Sequence, residues 1–326
     1  MGGTDWTKNG SHEIPREHAM RPSKGLGNDV KQAALAAGAD IVGIASIDRF
    51  EHAPPELHPR GVFGHTRSVI ALGCRMLRGA LKTIEEGNYW QAYNCDSYQY
   101  LNEILAPHML RKVILFLEDH GYTAVPMHNP FCFHAGRPVR PGGTKPDGGL
   151  SLRVAGVAAG LGELGRSKLF LSRQFGPRQR MFAVLTDAEL EPDPLVEPGS
   201  ICDNCGACTR ACPAGAIPAQ RSAEVRIGRH VYTHGPLDCG KCQVVHVGWD
   251  RRFSPFLKDD SGPDNPPEYY RFLQHRFRHQ SICGARGCVR ACMDHLEKTG
   301  RIEKLYQTPM IEGDQWVIDD DREAVQ

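Results

Sequence analysis

This 326-residue chain has no excess of charge of either sign, no long apolar run and no secretory leader, and each absence closes off a class of function. With 39 basic residues against 38 acidic ones, nothing supports an extended nucleic-acid surface. No apolar stretch approaches the roughly 18 to 20 residues that a bilayer-spanning helix needs. The first 28 residues are polar, rich in Gly and charge, and carry neither the apolar core of a signal peptide nor a twin-arginine export signal. What is plentiful is cysteine. Twelve are present without the short, disulfide-dense context of a secreted scaffold, which points to a reducing compartment where thiolates stay free. The expected location is the cytoplasm.

Nine of those cysteines fall between positions 202 and 292, and one stretch organises the rest: Cys202-Asp203-Asn204-Cys205-Gly206-Ala207-Cys208-Thr209-Arg210-Ala211-Cys212-Pro213. Three cysteines with two residues between neighbours, then a fourth after three more and a proline behind it, is the spacing that wraps a 4Fe–4S cubane and lends its last thiolate to a second cluster. A tight, Gly-bearing loop can present three sulfurs to three iron corners. The proline then turns the chain so that the fourth faces away.

Downstream lie Cys239, Cys242, Cys283, Cys288 and Cys292. The two-cluster exchange assigns Cys202, Cys205, Cys208 and the distant Cys292 to one cluster, and Cys212, Cys242, Cys283 and Cys288 to the other, with Cys239 a rival to Cys242. Zinc sites also use cysteines two apart, but as separated pairs rather than a run of four ending in Pro.

The length allows two domains, each with a real core. Residues 1–27 read as a loose arm without sustained periodicity. From Asn28 or Asp29, either able to cap, a helix runs to Ala37 and stops at Gly38. Strands follow over Asp40–Ala45 and Arg67–Cys74. A long helical region spans about Asn88 to His120, with apolar residues at helical spacing and a kink or break expected at Pro107. Tyr122–Met127 forms another strand.

Residues 129–149 make a long Pro- and Gly-rich loop holding Cys132, His134, Arg137, Arg140, Lys145 and Asp147. Loops of that length are often functional, although each of these residues alone is ordinary for a loop. Ser151–Gly160 is a helix and Met181–Thr186 a strand. The Gly-rich run at 160–166 follows a helix instead of a strand, so a dinucleotide fingerprint is rejected. The expected organisation is a mixed α/β unit at 28–195, a loop-rich unit shaped by metal at 196–300, and a tail at 301–326.

Four stretches in this order resemble the cobalamin-dependent, two-cluster reductases that include reductive dehalogenases and epoxyqueuosine reductase. They are Gly38-Ala39-Asp40-Ile41-Val42-Gly43-Ile44-Ala45, Ser97-Tyr98 with its helix, the run from Ala159 through Arg166 to Phe175-Gly176-Pro177-Arg178, and the cluster cysteines. The resemblance covers about residues 28 to 296 and is nearest to reductive-dehalogenase-like proteins. It implies an α+β chain: a nitroreductase-like domain holding a corrinoid, followed by a ferredoxin-like module with two 4Fe–4S clusters.

The resemblance also implies roles. The family's isolated second-cluster ligand lies four residues after the Asp of a Leu-Asp pair, which here is Leu237-Asp238 and selects Cys242. The tyrosine proton donor of dehalogenases corresponds to Tyr98, with Arg166 as its supporting cation and Lys145 and Tyr100 behind them. A phenol gives up its proton more readily beside a cation, because the phenolate is then paired. A half-buried tyrosine whose hydroxyl merely finds a partner is the plain alternative.

There are departures. Four residues separate Cys283 from Cys288 where the family commonly has two, and Met293 stands in place of proline. The proton-donor Asp of epoxyqueuosine reductases aligns with Pro146, one position from Asp147, and the chain after Cys292 has no room for their tRNA-binding repeats. The expected function is a reductase that removes a halide or similar leaving group from a small organic molecule. Its electrons would come from an external low-potential donor such as ferredoxin or flavodoxin. The alternatives are a tRNA-modifying epoxyqueuosine reductase and an electron-transfer protein without catalysis of its own.

Overall fold

A computed structural model describes residues 25–128, 149–246, 248, 250, 252–255 and 286–311. The chain enters through α1 (Leu26–Ala36), then forms β1 (Ile41–Ser46), β2 (Ser68–Arg75) and α2 (Arg78–Glu85). A continuous helical stretch follows: α3 (Trp90–Asn94), a π-helical segment (Cys95–Leu105) and α4 (Ala106–Asp119). Then come β3 (Ala124–Met127), α5 (Leu152–Ala158), the short strands β4 (Glu163–Leu164) and β5 (Phe170–Leu171), and β6 (Gln179–Thr186).

The main sheet has the order β1-β2-β6-β3, and every pairing is antiparallel. Its central strands β2 and β6 are buried along nearly their whole length, so they read as unbroken apolar runs. Alternation then decides which side chain meets which layer. Ile44, Ile70, Leu72, Phe182 and Val184 face α1, α2 and α4, while Val69, Ala71, Ala183 and Leu185 face α5. Helices therefore cover both faces of the sheet. Gly43 allows this on one side, since a Cβ there would lie 2.3 Å from the Ala159 carbonyl oxygen at the end of α5.

Two boundaries differ from the sequence reading. α1 begins at Leu26 behind Gly25 (φ 109°), so Asp29 lies in the first turn and neither it nor Asn28 is the cap. Pro107 does not break the long helix. The helical stretch runs through it, and the change from π- to α-helical turns falls beside it, between Leu105 and Ala106, where a residue without an N–H interrupts the regular ladder.

Beyond residue 195 regular structure thins to α6 (Ala207–Arg210), the hairpin β7 (Ala223–Ile227) and β8 (His230–His234), α7 (Cys239–His246) and α8 (Cys288–Lys298). Six buried apolar residues, from Leu171 to Met310, make the small core there. No helix among the described residues is long and apolar enough to cross a membrane.

Candidate functional site

The first cysteine loop is shaped by two residues in left-handed backbone conformation, Asn204 (φ 59°) and Gly206 (φ 74°). They fold the chain back tightly enough for Cys202, Cys205 and Cys208 to line one concavity, and Cys292 from α8 closes it. Burial first, then the neighbouring Cys202 and Cys208, push the Cys292 thiol well above its ordinary pKa. Cys288 is pushed up to about 12 by burial and then by Cys242 and Cys212. The neighbours differ because α8 carries the two cysteines four residues apart and sends one to each group.

Seven of the ten described cysteines thus fall into a set of four that lines one concavity, Cys202, Cys205, Cys208 and Cys292, and a set of three electrostatic neighbours, Cys212, Cys242 and Cys288. Cys283 lies outside the described residues. Cys239 is exposed, and its Sγ is 3.8 Å from the Leu237 carbonyl oxygen. The donor sets suit a sulfur-ligated metal core. Thiols that burial and mutual repulsion keep protonated ionise once a cationic centre compensates them. Backbone N–H groups already point at two of the sulfurs, Arg166 to Cys202 at 3.4 Å and Ala216 to Cys212 at 3.3 Å.

A second group of polar side chains lies next to the set of three. Tyr98, 7% exposed, places its hydroxyl 2.7 Å from Nε2 of His246. Arg180 of β6 stacks its guanidinium 4.1 Å over the Tyr98 ring, held there by Nε donating to the Ser97 carbonyl at 2.9 Å. Burial opposes the Arg180 charge, but Tyr98 and Tyr93 outweigh it, and its pKa is raised. His246 behaves oppositely. Burial, then Arg180 and Arg153, push its imidazole down to about 4, so it is neutral at pH 7.

Arg153 of α5 links the two groups, since its electrostatic neighbours are Cys288, Arg180 and Cys242. His246 sits on α7 four residues after Cys242, so one helix carries a metal-type ligand and the partner of a phenol. Nearby, the side-chain amide of Asn102 and Nη2 of Arg180 are buried without hydrogen-bond partners among the described residues. Buried polar atoms of that kind suit a bound group rich in amides, such as a corrinoid.

The structure does not bring Arg166 to Tyr98. Its guanidinium donates to Ser222 Oγ and to the carbonyls of Pro218, Ala219 and Arg221, at 2.6 to 2.9 Å. The cation beside Tyr98 is Arg180, which the sequence reading missed. An arginine at the second position of a strand whose other residues are buried and mostly apolar was the available signal. Tyr100 is 48% exposed, while Lys145 and Asp147 lie outside the described residues.

No family model matches the chain. Over 140 residues, 40% of this chain, it is 36% identical to a tetrachloroethene reductive dehalogenase of Dehalobacter restrictus, a match covering 22% of that protein. Over 129 residues it is 29% identical to the epoxyqueuosine reductase of Shigella dysenteriae, covering 33% of this chain and 32% of the relative. Among solved structures, a reductive dehalogenase interpreted in terms of B12-dependent dehalogenation aligns with a TM-score of 0.51 and 18% identity, over 95% of this chain and 44% of that one. The chain's relatives are therefore reductases of the reductive-dehalogenase and epoxyqueuosine-reductase superfamily, and it shares a fold with that solved dehalogenase. It spans less than two thirds of the length of each of these proteins.

Proposed function

We propose that the chain is a corrinoid- and iron–sulfur-dependent reductase of the reductive-dehalogenase kind. It would remove a halide or similar leaving group from a small organic substrate. One observation carries this reading: α7 holds Cys242 and His246 four residues apart, and His246 meets the Tyr98 hydroxyl beneath the Arg180 guanidinium, so a metal-type ligand and a proton donor share one neighbourhood. Electrons would enter from a low-potential donor at the four-cysteine cluster, where Cys205 is exposed, and pass to the cluster held by Cys212, Cys242, Cys288 and Cys283.

When bound, a corrinoid supplies a cobalt centre that passes electrons to the carbon carrying the leaving group. This chain's residues do the rest. Tyr98 holds a proton at its hydroxyl, and Arg180 over its ring stabilises the phenolate left when that proton goes to carbon. His246, neutral, orients the hydroxyl. Arg180 occupies the role first expected of Arg166.

Anaerobic reconstitution with iron, sulfide and hydroxocobalamin tests the reading. About eight irons, visible corrinoid absorbance and halide release from a chlorinated alkene or halogenated phenol are expected with a low-potential reductant. Full iron without corrinoid uptake would instead indicate an electron-transfer protein. Turnover only of an epoxyqueuosine-bearing anticodon stem–loop would indicate the tRNA enzyme.

A further inference from the structure

The Gly160–Arg166 run serves neither a dinucleotide nor the Tyr98 group, yet it packs tightly. A Cβ on Gly162 would stand 1.9 Å from the Leu171 carbonyl oxygen, so only glycine lets β4 lie this close to β5. That packing fixes Glu163, which is 2% exposed. Its carboxylate accepts backbone N–H groups from Gly199 at 2.6 Å, from Cys202 at 2.7 Å and from Ile201. All three partners are amides, so the negative charge is hydrogen-bonded but not paired with a cation by these contacts. Three residues on, Arg166 ties down 218–222 through its guanidinium, and its own N–H reaches the Cys202 sulfur.

We propose that Glu163 is a positioning residue that holds the Cys202 loop in place and keeps the reduction potential of the cluster on Cys202, Cys205, Cys208 and Cys292 low. The inference rests on the two-cluster reading above. Reduction adds one electron to an anionic core. A fixed carboxylate at the loop that carries Cys202 opposes that electron, in a buried setting where charges are weakly screened. Glu163 also takes the Ile201 and Cys202 amides for itself, so in this arrangement they donate to its carboxylate and not to a cluster sulfur, and N–H bonds to sulfur raise such potentials. Both effects act in the same direction.

The experiment is an anaerobic redox titration of the reconstituted full chain followed by electron paramagnetic resonance. The signal of the first cluster is identified as the one altered in Cys205→Ser. In Glu163→Gln, which removes charge but little volume, that cluster is expected to reduce at a higher potential while the other titrates as in the parent and iron content is kept. Full iron with both potentials unmoved would overturn the proposal, and so would an equal shift of both clusters. Should Glu163→Gln not assemble, Glu163→Asp decides, because it withdraws the charge by one methylene. A smaller upward shift of the first cluster supports the role, and an unmoved potential refutes it. The parent's iron count and its two signals report separately on the two-cluster reading.

Discussion

The sheet and the cysteine region are held together by different forces. The sheet buries apolar side chains on both faces, with fully buried residues such as Leu72, Phe182 and Leu185 at its centre. The cysteine region has only a small apolar cluster around Ile201, Met293 and Leu296 and relies on polar clamps, Glu163 on the Cys202 loop, Arg166 on 218–222, and Arg78 of α2 on Glu297 of α8 at 2.8 and 2.9 Å. The first has the makings of a stable fold by itself. The second packs thiols that resist ionisation until metal is present, so its order is coupled to loading.

Removing metal should break the comparison most sharply. Chelation is expected to strip amide protection from residues 199–246 and 286–311 while β2 and β6 keep theirs, as read by hydrogen exchange. Cys292→Ser should lower iron content by about half, because it opens only the set of four. Equal loss of protection in both regions would mean that the sheet, too, depends on metal. The next largest effect belongs to a residue between the two regions. Tyr98→Phe should lower turnover by about 10²–10⁴-fold with iron and corrinoid content unchanged, the range for losing a positioned general acid. Unchanged turnover would return Tyr98 to a packing role against Tyr93 and Arg180.

What could be read from the sequence follows the same division. β1, β2 and β6 were visible because burial on both faces leaves short, nearly continuous apolar runs bounded by turn residues. The cysteine run at 202–212 was legible because thiolate spacing is a local property, and Cys292 lines the same concavity as Cys202, Cys205 and Cys208; the division of ligands between two clusters belongs to the proposal. The group around Tyr98 was not legible as a whole. Arg180 comes from β6, His246 from α7 and Arg153 from α5, and nothing in linear spacing joins them. Arg166 misled for the converse reason. A basic residue in a Gly-rich run looks functional, but whether its guanidinium meets a phenol or four loop acceptors is decided by tertiary packing alone.

The smallest effect concerns His246, which belongs to the cysteine region but touches the other through Tyr98. Its imidazole sits at about 4 in the folded protein against 6.5 in a free side chain, so between those values the unfolded chain binds more protons. Stability should therefore fall as pH drops from 6.5 toward 4, by at most about 3 kcal/mol, and be fully retained above that window. His246→Gln should flatten this part of the denaturation midpoint against pH. Asp203, whose pKa is lowered although burial opposes it, because His295 and Arg301 hold its charged form, also destabilises the fold as acid is added, so only the difference between parent and variant isolates His246. If the parent and His246→Gln curves run parallel, the imidazole is not kept neutral by its surroundings, and its assignment as the neutral partner of the Tyr98 hydroxyl fails with it.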